Sequence, residues 1–165
     1  MIIINKIKNS KKINKELLKL IEEIKNPYVD ELGNNVSNTD WSLPKDYKRK
    51  YLDYFIEIIK PYLYKINKKL NSKEFIIHNF WFQQYLKLDK HSWHTHEGAN
   101  FTNIYFVELP DNSLTTEIFK YKKIKLNEGD LLTFPAYYFH RSPINNTNKR
   151  KTIISFNSSI NGFIK

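Results

Sequence analysis

Apolar positions recur at helical spacing in the first half of the chain and alternate with polar ones in the second. In "INKELLKLIEEIK", residues 13–25, Leu17, Leu18, Ile21 and Ile24 share one side of a 3.6-residue period, which predicts an amphipathic helix. Asn26-Pro27 is expected to end it, because a residue before proline is pushed out of the helical region. Residues 28–44 are rich in Asn and Asp, contain Gly33 and Pro44, and read as a loop. A second helical pattern runs from about Lys45 to Leu70, with Leu52, Phe55, Ile59, Tyr62, Leu63 and Ile66 on its apolar face. Pro61 is expected to kink that helix or split it in two.

From Glu74 the period changes to two. "EFIIHNFWFQQYLKL", "FTNIYFVEL", "TTEIFKYKKIKL", "DLLTFP" and "KTIISFNSSI" are rich in β-branched and aromatic residues, and "PDNS", "NEGD" and "SPINNTNK" separate the last four. Short strands at this spacing predict a β-sandwich or barrel, with the two helices covering one face of the sheets. Nothing marks a linker. Residues 1–165 therefore read as one α+β domain, mainly helical over 1–72 and a β-rich core over 73–165.

Composition adjusts this picture only slightly. A chain of 165 residues, 41 % of them hydrophobic, has enough apolar material for a single core. Cysteine is absent, which excludes disulfides and thiolate metal sites. The net charge of +10 suggests an anionic partner such as nucleic acid. Yet Arg49, Arg141 and Arg150 are the only arginines, and diffuse lysines describe a solvated face better than a phosphate-gripping groove. The opening "MIIINKIKNSKK" is too short an apolar run for a secretory signal, and no run reaches the ~20 residues of a membrane span. The expectation is a soluble, cytoplasmic protein of unspecified oligomeric state.

The candidate chemistry lies in "HSWHTHEG". Three of the five histidines, His91, His94 and His96, fall within six residues. On an extended strand His94 and His96 point the same way, at a separation that two imidazoles can close around one ion. His91 and Glu97 have the opposite parity unless the strand bulges. A third ligand must come from elsewhere, and His140 in "FPAYYFHRSP" is the best-framed candidate, near a strand end.

The flanking text carries a resemblance. Trp93-His94-Thr95-His96, Tyr105, Gly129-Asp130-Leu131 through Phe134-Pro135, His140, Asn145-Asn146, Lys151 and Ser155-Phe156-Asn157 together resemble the core of small 2-oxoglutarate/Fe(II)-dependent oxygenases. More narrowly, they resemble those found in bacterial and phage genomes. The similarity covers roughly residues 75–158. It implies a double-stranded β-helix, or jelly roll, on which the N-terminal helices of the pattern above would pack on one face. It implies Fe(II) on His94, His96 and His140, with 2-oxoglutarate as cosubstrate and hydroxylation as the default reaction. The commonest triad of that superfamily has two His and one carboxylate. Here His96 holds the middle position, and Glu97 could supply the acid only across a bulge. The far carboxylate of the keto acid needs a cation, for which Lys151 matches best by spacing, with Arg150 one step away on the other face. Tyr85 and Tyr105 are candidate hydroxyl donors to the same carboxylate. Trp81, Trp93, Phe82, Phe101, Phe106 and Phe139 are candidates for core or pocket wall, and Asp130 for shaping the turn after Gly129.

Two other classes remain open from sequence. A cupin-type jelly roll with three histidines could bind metal without a keto acid. A basic nucleic-acid-binding or structural protein would need no catalysis at all.

Overall fold

The computed structural model describes residues 1–24, 28–30 and 35–164, so Lys25, Asn26-Pro27 and Gly33 of the expectations above lie outside the described residues. Among the described residues, ten strands and two α-helices follow one another, with a 3-10 turn at Asn112–Leu114 besides: β1 (Ile3–Lys6), α1 (Ser10–Glu22), β2 (Tyr28–Asp30), β3 (Val36–Thr39), α2 (Lys50–Lys69), β4 (Ser72–Tyr85), β5 (His91–His94), β6 (Phe101–Glu108), β7 (Glu117–Ile118), β8 (Asp130–Pro135), β9 (His140–Ser142) and β10 (Lys151–Phe163). The strands form a seven-stranded sheet in the order β1-β8-β6-β10-β4-β3-β2 and a three-stranded sheet in the order β5-β9-β7. Neighbouring strands pair antiparallel in both sheets.

Strand alternation gives the large sheet two buried faces. On one, Phe82 of β4, Tyr105 of β6, and Ile154 and Phe156 of β10 pack against Leu17 and Ile21 of α1 and Tyr51, Phe55, Ile59 and Ile66 of α2. On the other, Tyr85, Ile104, Phe106, Leu132, Phe134 and Ile153 form a second cluster that includes Ile118 of the small sheet. Each such fully buried side chain contributes roughly 1.5–3 kcal/mol. The helices therefore cover one face of the large sheet, as expected. The small sheet lies over the other face, and the histidines lie there too.

Several elements differ from the sequence reading. The stretch 28–44 is not all loop. β3 pairs with β4 through Asn38↔Gln84 and Thr39↔Gln83, and Thr39 Oγ1 donates to the Phe82 carbonyl at 2.7 Å. Those strand residues are polar, so no hydrophobic alternation announced them. α1 starts at Ser10, three residues before its first apolar position. α2 starts at Lys50 rather than Lys45, because residues 41–49 are held as turns by Arg49, which donates to the carbonyls of Asp40, Leu43, Pro44 and Tyr47. Pro61 sits inside an unbroken helix on its exposed side, so the helix is not split. Of "TTEIFKYKKIKL" only Glu117–Ile118 is strand. Lys120 has φ 64, outside the extended region, and Lys122, Lys123 and Lys125 favour water over a ladder. β1, at the very start, completes one edge of the large sheet by pairing with β8. Gly129 makes the turn into β8 with φ 85, and a Cβ there would collide with the Ser10 side chain. Asp130 shapes the same turn by accepting from the Asn127 amide at 2.9 Å. No helix among the described residues is long and apolar enough to cross a membrane.

Candidate metal centre

β5 and β9 pair with His94 opposite His140, so one antiparallel rung places two imidazoles side by side with ring centroids 4.2 Å apart. His96 lies just past the end of β5, where its amide donates to the Ala136 carbonyl at 3.0 Å. Its ring is 5.0 Å from that of His94 and 5.1 Å from that of His140. One ring nitrogen from each of His94, His96 and His140 lies within 4.8 Å of the other two. Small ring rotations bring such a trio to the ~3 Å spacing that metal–nitrogen bonds of ~2.1 Å at right angles require.

Hydrogen bonds fix two of the three rings. His94 Nδ1 lies 2.7 Å from the Ser92 carbonyl oxygen and His140 Nδ1 lies 2.9 Å from that of Tyr138. A carbonyl only accepts, so in the neutral imidazole each Nδ1 carries the proton and each Nε2 keeps its lone pair. Burial pushes all three side chains toward that neutral form. It lowers His94, against a raising effect from the Ser92 carbonyl. It takes His96 down to about 4, helped by the neighbouring His94. His140 falls to about 3, first through burial and then through His94. At neutral pH the site therefore offers three unprotonated nitrogens, the state in which imidazole binds metal.

The remaining residues of the sequence reading divide between the two faces. Lys151 points to the histidine side and is almost wholly buried at 1 % exposure. Its Nζ donates to Ser142 Oγ at 2.7 Å and sits 5.1 Å from the centre of the Tyr85 ring. Ser142 is two residues beyond His140 on the same side of β9, which places the ammonium about 7 Å along the strand from the trio. Burial drives the Lys151 ammonium down to about 7, opposed only by the Glu117 carboxylate. Tyr85 and Trp81 line the histidine cavity, together with Gln83, Thr102, Ile104, Thr116, Ser155 and residues of β5 and β9.

Arg150 and Tyr105 lie elsewhere. Arg150 turns outward and pairs with Glu108 at 2.8 Å and Glu22 at 3.1 Å. Tyr105 faces the helices, where its hydroxyl donates to Asn14 Oδ1 at 2.6 Å. Glu97 is exposed in the turn after His96 and does not join the three-histidine group. Of the aromatic wall candidates, Phe106 is on the histidine side. Phe82 and Phe101 pack with the helices, Phe139 is exposed, and Trp93 faces outward beneath the Arg141 guanidinium. A register shift between His91 and His94 overrides parity and stacks their rings 4.0 Å apart. Gln83 and Ser142 carry no mark in the sequence, and Asn157 enters it only as part of the Ser155-Phe156-Asn157 run, with no role attached. Strand parity relative to Trp81, His140 and Lys151 is the signal that places them on this side.

The cavity itself has a volume of about 20 Å³. That is room for roughly one water molecule.

No protein-family model matches the chain, and no curated protein sequence matches it. Solved structures do. A viral collagen prolyl hydroxylase from Paramecium bursaria Chlorella virus-1, in complex with 2-oxoglutarate, superposes with a TM-score of 0.64 at 12 % identity, covering 96 % of each chain. A prolyl-4-hydroxylase from Pseudomonas putida gives 0.68 at 8 % identity over 98 % of this chain and 93 % of that one. A prolyl hydroxylase from Trichoplax adhaerens, solved with a peptide of the hypoxia inducible factor oxygen degradation domain, gives 0.67 at 14 % identity over 96 % and 83 %. Over nearly its whole length, the chain has the fold of these prolyl hydroxylases.

Proposed function

We propose that the protein is a 2-oxoglutarate/Fe(II)-dependent oxygenase, a hydroxylase by default, built as one domain on a double-stranded β-helix. The observation that carries this reading is the convergence of His94, His96 and His140 with a buried lysine one strand-step away. The donor set suits a divalent first-row ion, since three neutral imidazoles can bind one face and leave the opposite positions open. When bound, ferrous iron and the keto acid would supply the oxidising chemistry, and the protein supplies binding and orientation.

The roles proposed for the chain's own residues are supported by their places. His94, His96 and His140 hold the ion. Lys151 gives the far carboxylate a cation in a dry setting, with Ser142 and Tyr85 fixing its Nζ. Three uncharged ligands leave the centre one unit more positive than a His-His-carboxylate set, which favours a dianionic partner. The walls must open to admit it, since the cavity holds about 20 Å³. Among the described residues, the contact of Gln83 Nε2 with His91 Nδ1 at 3.2 Å is one that can give while Ser142 keeps its hold on Lys151.

Anaerobic addition of Fe(II) and 2-oxoglutarate to purified protein tests this. A weak visible charge-transfer band is expected only with both present, and it should be lost in His94→Ala and His140→Ala. A colourless mixture with no heat of binding would sink the proposal. The cavity volume also favours a second reading, a three-histidine metal protein of cupin type that uses no keto acid. In that case metal binds in the same experiment while 2-oxoglutarate does not.

A further inference from the structure

Among the described residues, four buried side-chain polar atoms have no hydrogen-bond partner: Asn5 Nδ2, Asn79 Oδ1, Thr102 Oγ1 and Asn157 Oδ1. Three of these are oxygens in a single cross-strand row. Asn157 of β10 is the register partner of Asn79 in β4 on one side and of Thr102 in β6 on the other. All three have the strand parity of the histidine side, and Thr102 lines the histidine cavity. Asn157 is 6 % exposed and Thr102 is 1 % exposed, so bulk water does not reach them freely. A row of buried oxygens in which two amide carbonyls and a hydroxyl all lack a partner is costly, by about 1–3 kcal/mol for each unsatisfied group.

The middle residue of the row also touches the trio. Asn157 Nδ2 lies 3.4 Å from His96 Nδ1. This is a long contact, and it gives His96 the wrong proton. An amide N–H pointing at Nδ1 needs a lone pair there, which moves the imidazole proton to Nε2. His94 and His140 have the reverse arrangement, with Nδ1–H on a carbonyl and Nε2 free. Turning the Asn157 amide by 180° exchanges its oxygen and nitrogen without moving any other atom. Oδ1 then accepts from His96 Nδ1–H. The two N–H groups turn toward the row of neighbouring oxygens, whose Cβ atoms lie ~5 Å away across each strand pair. One rotation thus gives the orphaned Asn157 oxygen a partner, offers donors to the Asn79 and Thr102 oxygens, and matches His96 to the other two rings.

We propose that Asn157 is the positioning residue of His96: its Oδ1 accepts from His96 Nδ1–H and so holds His96 Nε2 as the third lone pair of the centre. His94 and His140 need no such residue, because the backbone does the same for them. His96 lies beyond the end of β5, where among the described residues its own amide bond to Ala136 is the backbone anchor, so its ring depends on a side chain. The shift in register directly after Asn157 ends the alternation there, making Asn157 the last regular β10 residue on this side. The inference rests on the reading that the trio binds metal. Oxygen, nitrogen or carboxylate acceptors behind a metal-bound imidazole raise its basicity and fix its orientation, and their loss weakens metal binding by 10–100-fold.

The experiment has two arms on the full-length chain. In the first, long-range nitrogen–proton NMR of the metal-free protein at pH 7.5 reads the tautomer of each histidine. His96 is expected with its proton on Nδ1, like His94 and His140. A proton on Nε2 of His96 overturns the proposal whatever the metal does. In the second, Co(II) affinity is measured for the unmodified protein, Asn157→Asp and Asn157→Leu. The Asp variant keeps an acceptor and is expected to hold the Nδ1–H form and bind Co(II) at least as tightly. The Leu variant is expected to lose the tautomer preference of His96 alone and to bind Co(II) 10–100-fold more weakly. Affinity within threefold of the unmodified protein in the Leu variant overturns the proposal. Should Asn157→Leu not fold, the first arm and the Asp variant decide it. Should the unmodified protein not bind Co(II) at all, the metal reading fails on its own, and the tautomer of His96 still judges the role of Asn157.

Discussion

Lys151 is the residue whose chemistry is most altered by its surroundings. Its ammonium is pushed down to about 7 by burial, with Glu117 giving partial relief, so at pH 8 the metal-free side chain is largely neutral. A bound dicarboxylate favours the charged form and should return the amine toward its ordinary range. Binding of 2-oxoglutarate at pH 8 is therefore expected to take up close to one proton, and at pH 6 almost none. Calorimetry in buffers of different ionisation enthalpy reads this directly, and equal uptake at both pH values would remove Lys151 from the carboxylate's partners. Lys151→Met keeps the buried stem and deletes the charge. It is expected to weaken keto-acid binding by at least ~30-fold while leaving Co(II) affinity unchanged, since losing one partner of a desolvated ion pair costs about 2–5 kcal/mol. The choice between Lys151 and Arg150 shows what could be read in advance. Their opposite parity was plain from the sequence, but the face that carried the site was not. β10 is buried on both sides from Lys151 to Ser158 and β6 from Phe101 to Val107, so hydrophobic alternation is missing where it was needed. That is why Tyr105 was a candidate and is found against α1. The three histidines were legible because spacing and flanking residues mark them, whereas the stacking of His91 depends on a bulge that leaves no pattern.

Among the elements, the short β3 and the turns that follow it matter more than their polar sequence suggests. Asp40, fully buried, accepts from Arg49 Nε at 2.7 Å, from the Tyr51 hydroxyl at 2.7 Å and from the Phe82 amide at 2.8 Å. It ties the end of β3, the start of α2 and the middle of β4 to one carboxylate. Burial, and then the Asp40 charge, push the Tyr51 phenol well above its ordinary range, so it stays a donor. Removing the carboxylate strands a buried guanidinium, a loss of about 3–5 kcal/mol. Asp40→Ala is expected to lower stability by that amount in urea denaturation, with little change at the histidines of the folded fraction. A loss under 1 kcal/mol would mean that this junction does not hold the helix to the sheet. The existence and type of both helices and of four of the five predicted strands were readable from periodicity. β1, β3 and β9 were not, because each is four residues or fewer and draws its stability from a neighbouring strand.

At the scale of the molecule, the large sheet separates two interiors, an apolar one under the helices and one toward the small sheet that holds ionisable groups away from water. The second makes stability depend on pH in a way the first cannot. The buried histidines have folded-state values below the ~6.5 of an unfolded chain, with His96 at about 4, His140 at about 3 and His94 also lowered. Between those values and ~6.5 the unfolded chain binds protons that the folded chain refuses, so stability must fall as pH drops. His96 and His140 each contribute a slope of at most ~1.4 kcal/mol per pH unit, beginning near pH 6.5 and continuing to about 4 and about 3, and the lowered His94 adds to the early part of the fall. Above ~pH 5 most carboxylates stay ionised, so a fall between pH 6.5 and 5 reports on histidine. Metal-free protein is therefore expected to be most stable above pH 6.5 and to lose several degrees of melting temperature by pH 5. Zn(II) at 100 times its dissociation constant should add about 2.7 kcal/mol at neutral pH. Because His96 and His140 stay unprotonated well below 6.5 and burial lowers His94 as well, that gain should persist at pH 5.5, where histidines on an open surface would already be protonated and unable to bind. Melting curves with and without Zn(II) at pH 7.5 and pH 5.5 make the comparison. A gain that vanishes at pH 5.5 would mean that the three rings behave as solvated side chains, and the enclosed centre between the two sheets would not exist in solution.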